Sequence, residues 1–218
     1  MSQQIVIVGA GGSGREVRCL IEDQNRVTSD QWDFVGFLAA DEPPPDLLER
    51  IDAKFLGSPS DQHLLAELGG VYFAVAIGNG VARHNLHGEL SSAGLLPATL
   101  VHPTAVIGMD VDLGAGTVIG AGCVITTNVR LGVSVQVNNL CSIAHDCFVG
   151  DYVTLAPGVN VSGAVQIDAF AHLGTNSATI QGVAIGAGAR IGAGAVVTQS
   201  IGAGVTAVGV PARPVNQS

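Results

Sequence analysis

A histidine followed directly by an aspartate, His145-Asp146, is the pair of side chains in this sequence best suited to move a proton. An imidazole changes its charge near neutral pH, so it can take a proton from an attacking group, and a neighbouring carboxylate can orient the ring. The pair lies in the polar stretch 138–147, which begins with Asn138. We therefore expect general-base chemistry at His145, with Asp146 as its partner. An exposed or interfacial histidine without a catalytic role is the alternative.

These residues lie inside a strict six-residue repeat that runs from Val101 to Val197. A branched aliphatic residue stands at every sixth position, and only Thr179 among the seventeen phased positions departs from this pattern. A second small or β-branched residue follows each of them four positions later. A helix has a period near 3.6 and a strand a period of 2, so neither explains a period of six. The repeat predicts a triangular solenoid whose three faces of six residues make a coil of eighteen.

In such a solenoid, residues eighteen apart stack on the same edge of neighbouring coils. Gly163 lies eighteen residues beyond His145, so its backbone N–H could approach a carbonyl oxygen held beside the histidine. His172 lies eighteen residues beyond Thr154 and should share its face. Both pairs are predicted to be neighbours in space although they are distant along the chain.

The first hundred residues predict a small parallel sheet with helices on both faces. A buried-strand run, Ile5-Val6-Ile7-Val8, leads into a glycine turn and a helix, and the strand-helix pattern occurs three times in all. Glycines let the backbone approach a phosphate, and the helix N-terminus supplies unpaired N–H groups to hold it. A dinucleotide site is the alternative, but a unit of some ninety residues is short against the roughly 150 that two mononucleotide halves need.

Ligands of such sheets bind beyond the carboxyl ends of the strands. The substrate-binding residues predicted at that edge are Gly9, Gly11, Gly12, Ser13, Gly14, Arg15, Asp41, Asn79 and Arg83. Arg15 and Arg83 could pair with phosphates, or could be solvated charges on their helices. A linker at 94–97 divides the chain into a domain of residues 1–97 and a domain of residues 98–218.

Composition and charge exclude several classes of function. The chain has 218 residues, 47% of them apolar, which suffices for one large or two modest domains. Its net charge of −9 argues against nucleic-acid binding, which needs a basic surface. No apolar run reaches the roughly 18 residues of a membrane helix, and the start lacks the basic residues of a secretory signal, so we expect a cytoplasmic protein. Cys123, Cys141 and Cys147 fall on the inward second position of the repeat, which favours packing and no metal.

The combined motifs resemble the NeuD/PglD family of sugar acetyltransferases, and the resemblance covers nearly the whole chain. It is carried by the hexapeptide pattern, the glycine turn, and the sequences Gly36-Phe37, Ile77-Gly78-Asn79, His102-Pro103 and Val208-Gly209-Val210-Pro211-Ala212. The chain departs from the family where Ser13 replaces a common histidine, Ala39-Ala40 replaces an acidic pair, and Thr154 replaces a second histidine.

The resemblance implies an α/β N-terminal half-Rossmann domain followed by a left-handed parallel β-helix. It also implies that the first domain binds a nucleotide-linked sugar, that the β-helix binds acetyl-CoA, and that active sites lie between the protomers of a homotrimer. His145 and Asp146 match the family's catalytic histidine and its acidic partner, Gly163 a glycine that contacts the thioester carbonyl, and Asn138 an active-site asparagine. The residues assigned to acetyl-CoA are Thr154, His172, Gly174, Arg190 and Arg213. Among them, His172 could replace the missing second histidine, and the two arginines could bind the CoA phosphates.

The residues and the resemblance together predict an acetyl-CoA-dependent N-acetyltransferase that acts on a nucleotide-linked amino sugar, in surface-glycan sugar biosynthesis. The amine would attack the thioester directly, with His145 as the base. O-acetylation of a sialic acid or related sugar is the alternative within this class. A non-catalytic sugar-nucleotide-binding scaffold and a nicotinamide oxidoreductase are alternatives from other classes.

Overall fold

A computed structural model of the protein describes residues 2–29 and 31–215. The chain forms two compact units, of which the first ends at Pro103 and the second begins at Thr104. The boundary set from sequence, after Pro97, lies six residues earlier. The intervening residues belong to the first unit because Gln24 Nε2 donates to Val101 O at 2.9 Å and His102 Nε2 lies 3.0 Å from Asp23 Oδ2.

The first unit is a parallel sheet flanked by helices. Its strands are β1 (Gln3–Val8), β2 (Trp32–Leu38), β3 (Phe55–Gly57), β4 (Tyr72–Val75) and β5 (Leu96–Pro97), followed by the short β6 (Leu100–Val101). Its helices are α1 (Gly12–Thr28), α2 (Pro45–Glu49), α3 (Gln62–Glu67) and α4 (Gly80–Ser92). The sheet order is β3-β2-β1-β4-β5, and every pairing within it is parallel. The apolar run from Ile5 to Val8 forms its central strand and is at most 1% exposed.

Three short elements of this unit were not predicted. β3 has three half-buried residues, and β5 lies in the segment interpreted as a linker. Pro44 and Pro45 stand at the N-cap and the first turn of α2, where a missing backbone N–H costs nothing, so the proline run begins this helix.

The glycine turn and the segment after β4 lie together at the carboxyl edge of this sheet, as predicted. The chain builds outward from β1 to β3 and then returns to β4 on the other side, which opens a crevice between the ends of β1 and β4. Gly9 has a φ of +106°, and a Cβ there would lie 3.0 Å from Ala76 O. The two turns are therefore in close contact, and Gly9 is required for both its conformation and its lack of a side chain.

The second unit is a parallel β-helix of short strands. In chain order they are β7 (Val106–Ile107), β8 (Val111–Leu113), β9 (Val118–Ile119), β10 (Val124–Ile125), β11 (Val129–Leu131), β12 (Gln136–Val137), β13 (Ser142–Ile143), β14 (Phe148–Val149), β15 (Thr154–Leu155), β16 (Asn160–Val161), β17 (Gln166–Ile167), β18 (His172–Leu173), β19 (Ala178–Thr179), β20 (Ala184–Ile185), β21 (Arg190–Ile191), β22 (Val196–Val197), β23 (Thr206–Val208) and β24 (Arg213–Pro214). Every third strand from β7 to β22 forms the first face, from β8 to β20 the second, and from β9 to β21 the third, which continues into β23 and β24.

The register confirms the predicted coil of eighteen residues. Ser142, for example, pairs with Val124 on one side and with Asn160 on the other. The phased aliphatic residues from Ile119 to Val197 are all buried, and so are the second positions from Thr117 to Ala195. Burying each Val, Leu or Ile contributes about 1.5–3 kcal/mol, which explains why the chain repeats this pattern so strictly.

Thr179 interrupts the aliphatic series for a local reason. Its side chain is 4% exposed, and its Oγ1 accepts a hydrogen bond of 3.1 Å from Ser162 N. The Ser162 hydroxyl donates in turn to Thr179 O at 2.6 Å. The threonine thus satisfies a backbone donor at the neighbouring coil, which an aliphatic residue could not do.

The interior cysteines are free and buried, which confirms the packing interpretation. Cys123, Cys141 and Cys147 are at most 2% exposed. Burial raises the pKa of the Cys147 thiol, and a hydrogen bond with Cys123 together with burial raises the pKa of Cys141. These two thiols therefore stay protonated and unreactive at neutral pH.

Candidate active site

His145 stands at the corner that follows β13 in the β-helix. Ile143 points into the core, and two residues later His145 lies outside it with half of its side chain exposed. Asp146 adopts a left-handed backbone, with a φ of 61°, and this conformation turns the chain toward β14. The location confirms that His145 is an exterior residue and not part of the core.

Asp146 holds the imidazole in one orientation. The Asp146 Oδ2 atom lies 2.7 Å from His145 Nδ1, and Asp146 Oδ1 accepts a hydrogen bond of 3.1 Å from Asn128 Nδ2. The bond with His145, followed by that from Asn128, holds the pKa of the Asp146 carboxyl below its usual value. An ionised carboxylate can only accept, so Nδ1 carries the proton, and in the neutral imidazole Nε2 then presents its lone pair.

Gly163 lies directly against the Nε2 edge of the His145 ring. A Cβ at Gly163 would stand 2.6 Å from both Cε1 and Nε2 of His145, closer than real side chains approach. Among the described residues, none accepts a hydrogen bond from the Gly163 N–H. The predicted stacking of residues 145 and 163 is confirmed, and a role for Gly163 as an oxyanion donor stays a prediction.

Asn138 occupies a different corner of the same coil. It follows β12, whereas His145 follows β13, because the two residues are seven positions apart and one face of the β-helix takes only six. The Asn138 Nδ2 atom donates to Leu155 O at 2.7 Å, which ties the side chain to its own corner. Within one chain the structure therefore does not bring Asn138 to the His145 cluster.

The residues predicted to bind acetyl-CoA share the third face in part. Thr154 pairs with His172, and His172 pairs with Arg190, so these three form one outward row on β15, β18 and β21, as the arithmetic of the repeat requires. Thr154 is 4% exposed, His172 is half-buried and Arg190 is exposed. His172 and Arg190 can therefore present a polar and a cationic group to a ligand, whereas Thr154 is buried within the chain.

Two further residues assigned to acetyl-CoA, Gly174 and Arg213, make contacts within the chain. A Cβ at Gly174 would lie 2.6 Å from Ala193 N, so close packing between coils requires this glycine. Arg213 is exposed on β24, and its Nη1 donates to Ala212 O at 2.9 Å. Contacts of either residue with a cofactor stay predictions.

The glycines of the first turn divide into two kinds. A Cβ at Gly14 would overlap Gly9 O, so Gly14 serves the packing of α1 against the end of β1. Gly11 and Gly12, in contrast, have no atom within 4 Å of a Cβ placed on them. Gly11 is the N-cap of α1 and supplies no side-chain hydrogen bond, so the space in front of the first helical turn is open.

The polar residues predicted at this edge differ in their surroundings. Ser13 and Arg15 are half-buried at the start of α1, and Asp41 is exposed beyond β2. The Asn79 side chain caps α4, accepting from Val81 N at 3.0 Å and Ala82 N at 3.1 Å.

Arg83 corrects an expectation, because it is neither a solvated charge nor an exposed phosphate ligand. Its side chain is 0% exposed, and its Nη1 donates to Ile77 O at 2.8 Å. The guanidinium therefore braces the segment after β4. Sequence spacing alone did not indicate this, because Arg83 lies one turn into a helix whose buried side only the sheet defines.

Two kinds of feature are absent from residues 2–29 and 31–215. No helix in these ranges is both long and apolar enough to cross a membrane. No cluster of histidine, cysteine or acidic residues in the same ranges could hold a metal ion.

Comparisons with known proteins agree with this arrangement. Residues 4–90 match the model of the PglD N-terminal domain. A GDP-perosamine N-acetyltransferase of Escherichia coli O157:H7 is 41% identical over 152 residues, which cover 67% of this chain and 69% of that protein.

Two solved structures resemble the chain over almost its full length. PerB from Caulobacter crescentus, solved in complex with CoA and GDP-perosamine, has a TM-score of 0.85 and 29% identity, with 98% of this chain and 97% of that chain covered. The acetyltransferase domain of PglB from Neisseria gonorrhoeae has a TM-score of 0.81 and 26% identity, with 98% and 100% covered. The chain therefore belongs to the NeuD/PglD-like family of sugar acetyltransferases, with a half-Rossmann domain followed by a left-handed parallel β-helix.

Proposed function

We propose that this protein transfers the acetyl group of acetyl-CoA to the amine of a nucleotide-linked amino sugar, and that the nucleotide is GDP. The observation that carries the proposal is the His145, Asp146 and Gly163 cluster on a fold shared with enzymes of this activity. The choice of GDP rests on the Escherichia coli relative, named a GDP-perosamine N-acetyltransferase, and on PerB, solved with GDP-perosamine and CoA.

In the proposed mechanism His145 acts as the general base. Asp146 holds Nδ1, so Nε2 accepts the proton of the amine as the nitrogen attacks the thioester carbonyl. The Gly163 N–H, beside the same edge of the ring, would donate to the oxyanion of the tetrahedral intermediate. Collapse of the intermediate breaks the carbon–sulfur bond, and the proton held on His145 passes to the departing CoA thiolate.

A covalent acetyl-enzyme is not part of this mechanism. The cysteines nearest to His145 in sequence, Cys141 and Cys147, are buried in the interior of the β-helix and have a raised pKa. A thiol that is both protonated and shielded from solvent is a poor nucleophile. The amine therefore attacks the thioester directly.

The first unit supplies the sugar-nucleotide site in this proposal. The open space before α1, at Gly11 and Gly12, suits a phosphate that needs close approach to helix N–H groups. Arg15 in the first turn could add a charge-assisted hydrogen bond. Arg83 would act indirectly, because it fixes the Ile77 carbonyl at the same edge.

We further propose a cytoplasmic homotrimer whose acetyl-CoA clefts lie between subunits. The separation of Asn138 and His145 onto different corners supports this proposal, because a cleft shared by two subunits can combine groups that one chain holds apart. Closed cyclic symmetry is the usual outcome for such repeated interfaces.

The test is an acetyl-transfer assay with purified protein, acetyl-CoA and GDP-perosamine, in which the sugar nucleotide is analysed by mass spectrometry. We expect one acetyl group on the amine. GDP-mannose, whose sugar has no amine, serves as the control acceptor, and UDP- and dTDP-linked amino sugars test the nucleotide. Acetylation of a hydroxyl on a sialic acid in place of the amine would favour the O-acetyltransferase alternative.

A further inference from the structure

We propose that Asn128 is a positioning residue for the acetyl-transfer reaction, acting through Asp146 to hold the imidazole of His145. The inference rests on the proposed function, because it assigns a task to a residue behind the proposed base. Asn128 lies eighteen residues before Asp146, so the two stand one coil apart in the same corner column.

Asn128 and Asp146 both stand where the chain turns a corner of the β-helix. Asn128 and Asp146 have left-handed backbones, with φ values of 54° and 61°. This conformation is common at corners, and asparagine tolerates it well, so the backbone alone would explain an asparagine here. It does not explain the hydrogen bond of 3.1 Å from Asn128 Nδ2 to Asp146 Oδ1.

The carboxylate of Asp146 is therefore held at both oxygens. Oδ1 accepts from Asn128, and Oδ2 lies 2.7 Å from His145 Nδ1. The side chain of Asp146 is 54% exposed, so without Asn128 it could rotate freely into solvent and take the imidazole with it. The carbonyl of Thr127 adds support, since it accepts from Asp146 N at 3.1 Å.

The charged groups near this corner are few. His145 and Asp146 face Asn128 from the following coil. From the preceding coil come Asp110 and Asp112, whose carboxylates are paired with Arg130 at 2.7 and 2.9 Å. A new negative charge at position 128 would therefore act mainly on the His145 and Asp146 pair.

The decisive variant is Asn128→Gly, because glycine keeps the left-handed backbone and removes only the side chain. We expect kcat to fall roughly 3- to 10-fold, the effect of one lost hydrogen bond, with KM unchanged for both substrates. Asn128→Asp keeps the size of the side chain but replaces the donor by a carboxylate. It should lower kcat further and move the acidic limb of the pH profile of kcat/KM to higher pH, because the added charge favours the protonated imidazole.

Asn176→Gly is the matched control. Asn176 is an exposed residue with a φ of 56° at another corner of the β-helix, so its loss measures the cost of replacing a left-handed asparagine. We expect wild-type kcat from this variant and the same melting temperature as Asn128→Gly.

Three outcomes contradict the inference. It is overturned if both Asn128 variants keep kcat within twofold of wild type, or if Asn176→Gly loses as much activity as Asn128→Gly. A His145→Ala variant separates the two proposals. If it is inactive while the Asn128 variants are normal, only the positioning role fails; if it is fully active, the proposed base and the positioning role fail together.

Discussion

At the scale of single residues, the hydrogen bond between His145 Nδ1 and Asp146 Oδ2 leaves Nε2 as the one ring nitrogen able to accept a proton. We therefore predict that His145→Ala lowers kcat by roughly 10²- to 10⁴-fold, the usual contribution of a general base. Acetyl-CoA affinity, measured by calorimetry, should be nearly unchanged, and Asp146→Asn should have a smaller effect on kcat. Turnover near the wild-type rate in His145→Ala would exclude His145 as the base.

A substitution at Gly163 tests whether this glycine sets the position of the His145 ring. A Cβ there would lie 2.6 Å from the His145 ring, so Gly163→Ala must displace the imidazole. Because misplacement of a catalytic group by an ångström can cost about 100-fold, we predict a fall in kcat of roughly 10- to 100-fold. Gly202→Ala is the control, since its Cβ would meet only Val205 Cγ2 at 3.7 Å. Equal kcat values in the two variants would show that the glycine does not set the position of the ring.

At the scale of elements, substitutions at Thr179 distinguish the contribution of apolar burial to stability from that of a hydrogen bond between coils. Thr179→Val makes the aliphatic series perfect, yet it removes the acceptor of the Ser162 N–H. We predict that this variant lowers the free energy of unfolding by about 1–3 kcal/mol, the cost of an unsatisfied donor. Urea denaturation measures the loss, and amide exchange at Ser162 should become faster.

Thr179→Ser is the matched control for that prediction, because it keeps the hydroxyl acceptor and removes a methyl group. It should retain the protection of the Ser162 amide. An increase in stability for Thr179→Val would mean that the interior tolerates the unpaired N–H, and that the hydrogen bond does not account for the threonine at this position.

At the scale of the whole molecule, the two units can be assigned different substrates. Gly11→Val places a side chain in the open space before α1, where its Cβ would have no other part of the fold within 4 Å, so the fold should tolerate it. We predict a higher KM for the sugar nucleotide and an unchanged KM for acetyl-CoA. Gly88→Val, in α4, is a control that is equally open and lies within a helix. An unchanged KM for the sugar in Gly11→Val, with loss of NAD binding, would favour a dinucleotide site.

Assembly is tested on the same scale. If the acetyl-CoA clefts need two subunits, the protein should sediment near three times its chain mass of 22.0 kDa. Sedimentation equilibrium across a range of concentrations, with activity measured at each, is the experiment. A monomer that keeps full activity on dilution would contradict a shared cleft.

The sequence by itself determined the β-helix and which active-site residues stack on neighbouring coils. A period of six with one inward aliphatic residue admits little else, because each coil must bury the same positions as its neighbours. The same arithmetic placed Gly163 beside His145, and it could have found Asn128, which stands eighteen residues before Asp146. Because the stacking is regular, contacts between coils can be predicted from residue spacing, as contacts along a helix can.

Only the tertiary structure decided the short and irregular parts. β3 and β5 are too brief to have a pattern of their own and exist because β2 and β4 offer them hydrogen bonds. Arg83 became a buried brace because its helix packs that side against the sheet, and Asn138 was separated from His145 by a full face of the prism. Residue types specify which bonds are possible, whereas the direction of each side chain depends on backbone angles and neighbours that only the folded chain supplies.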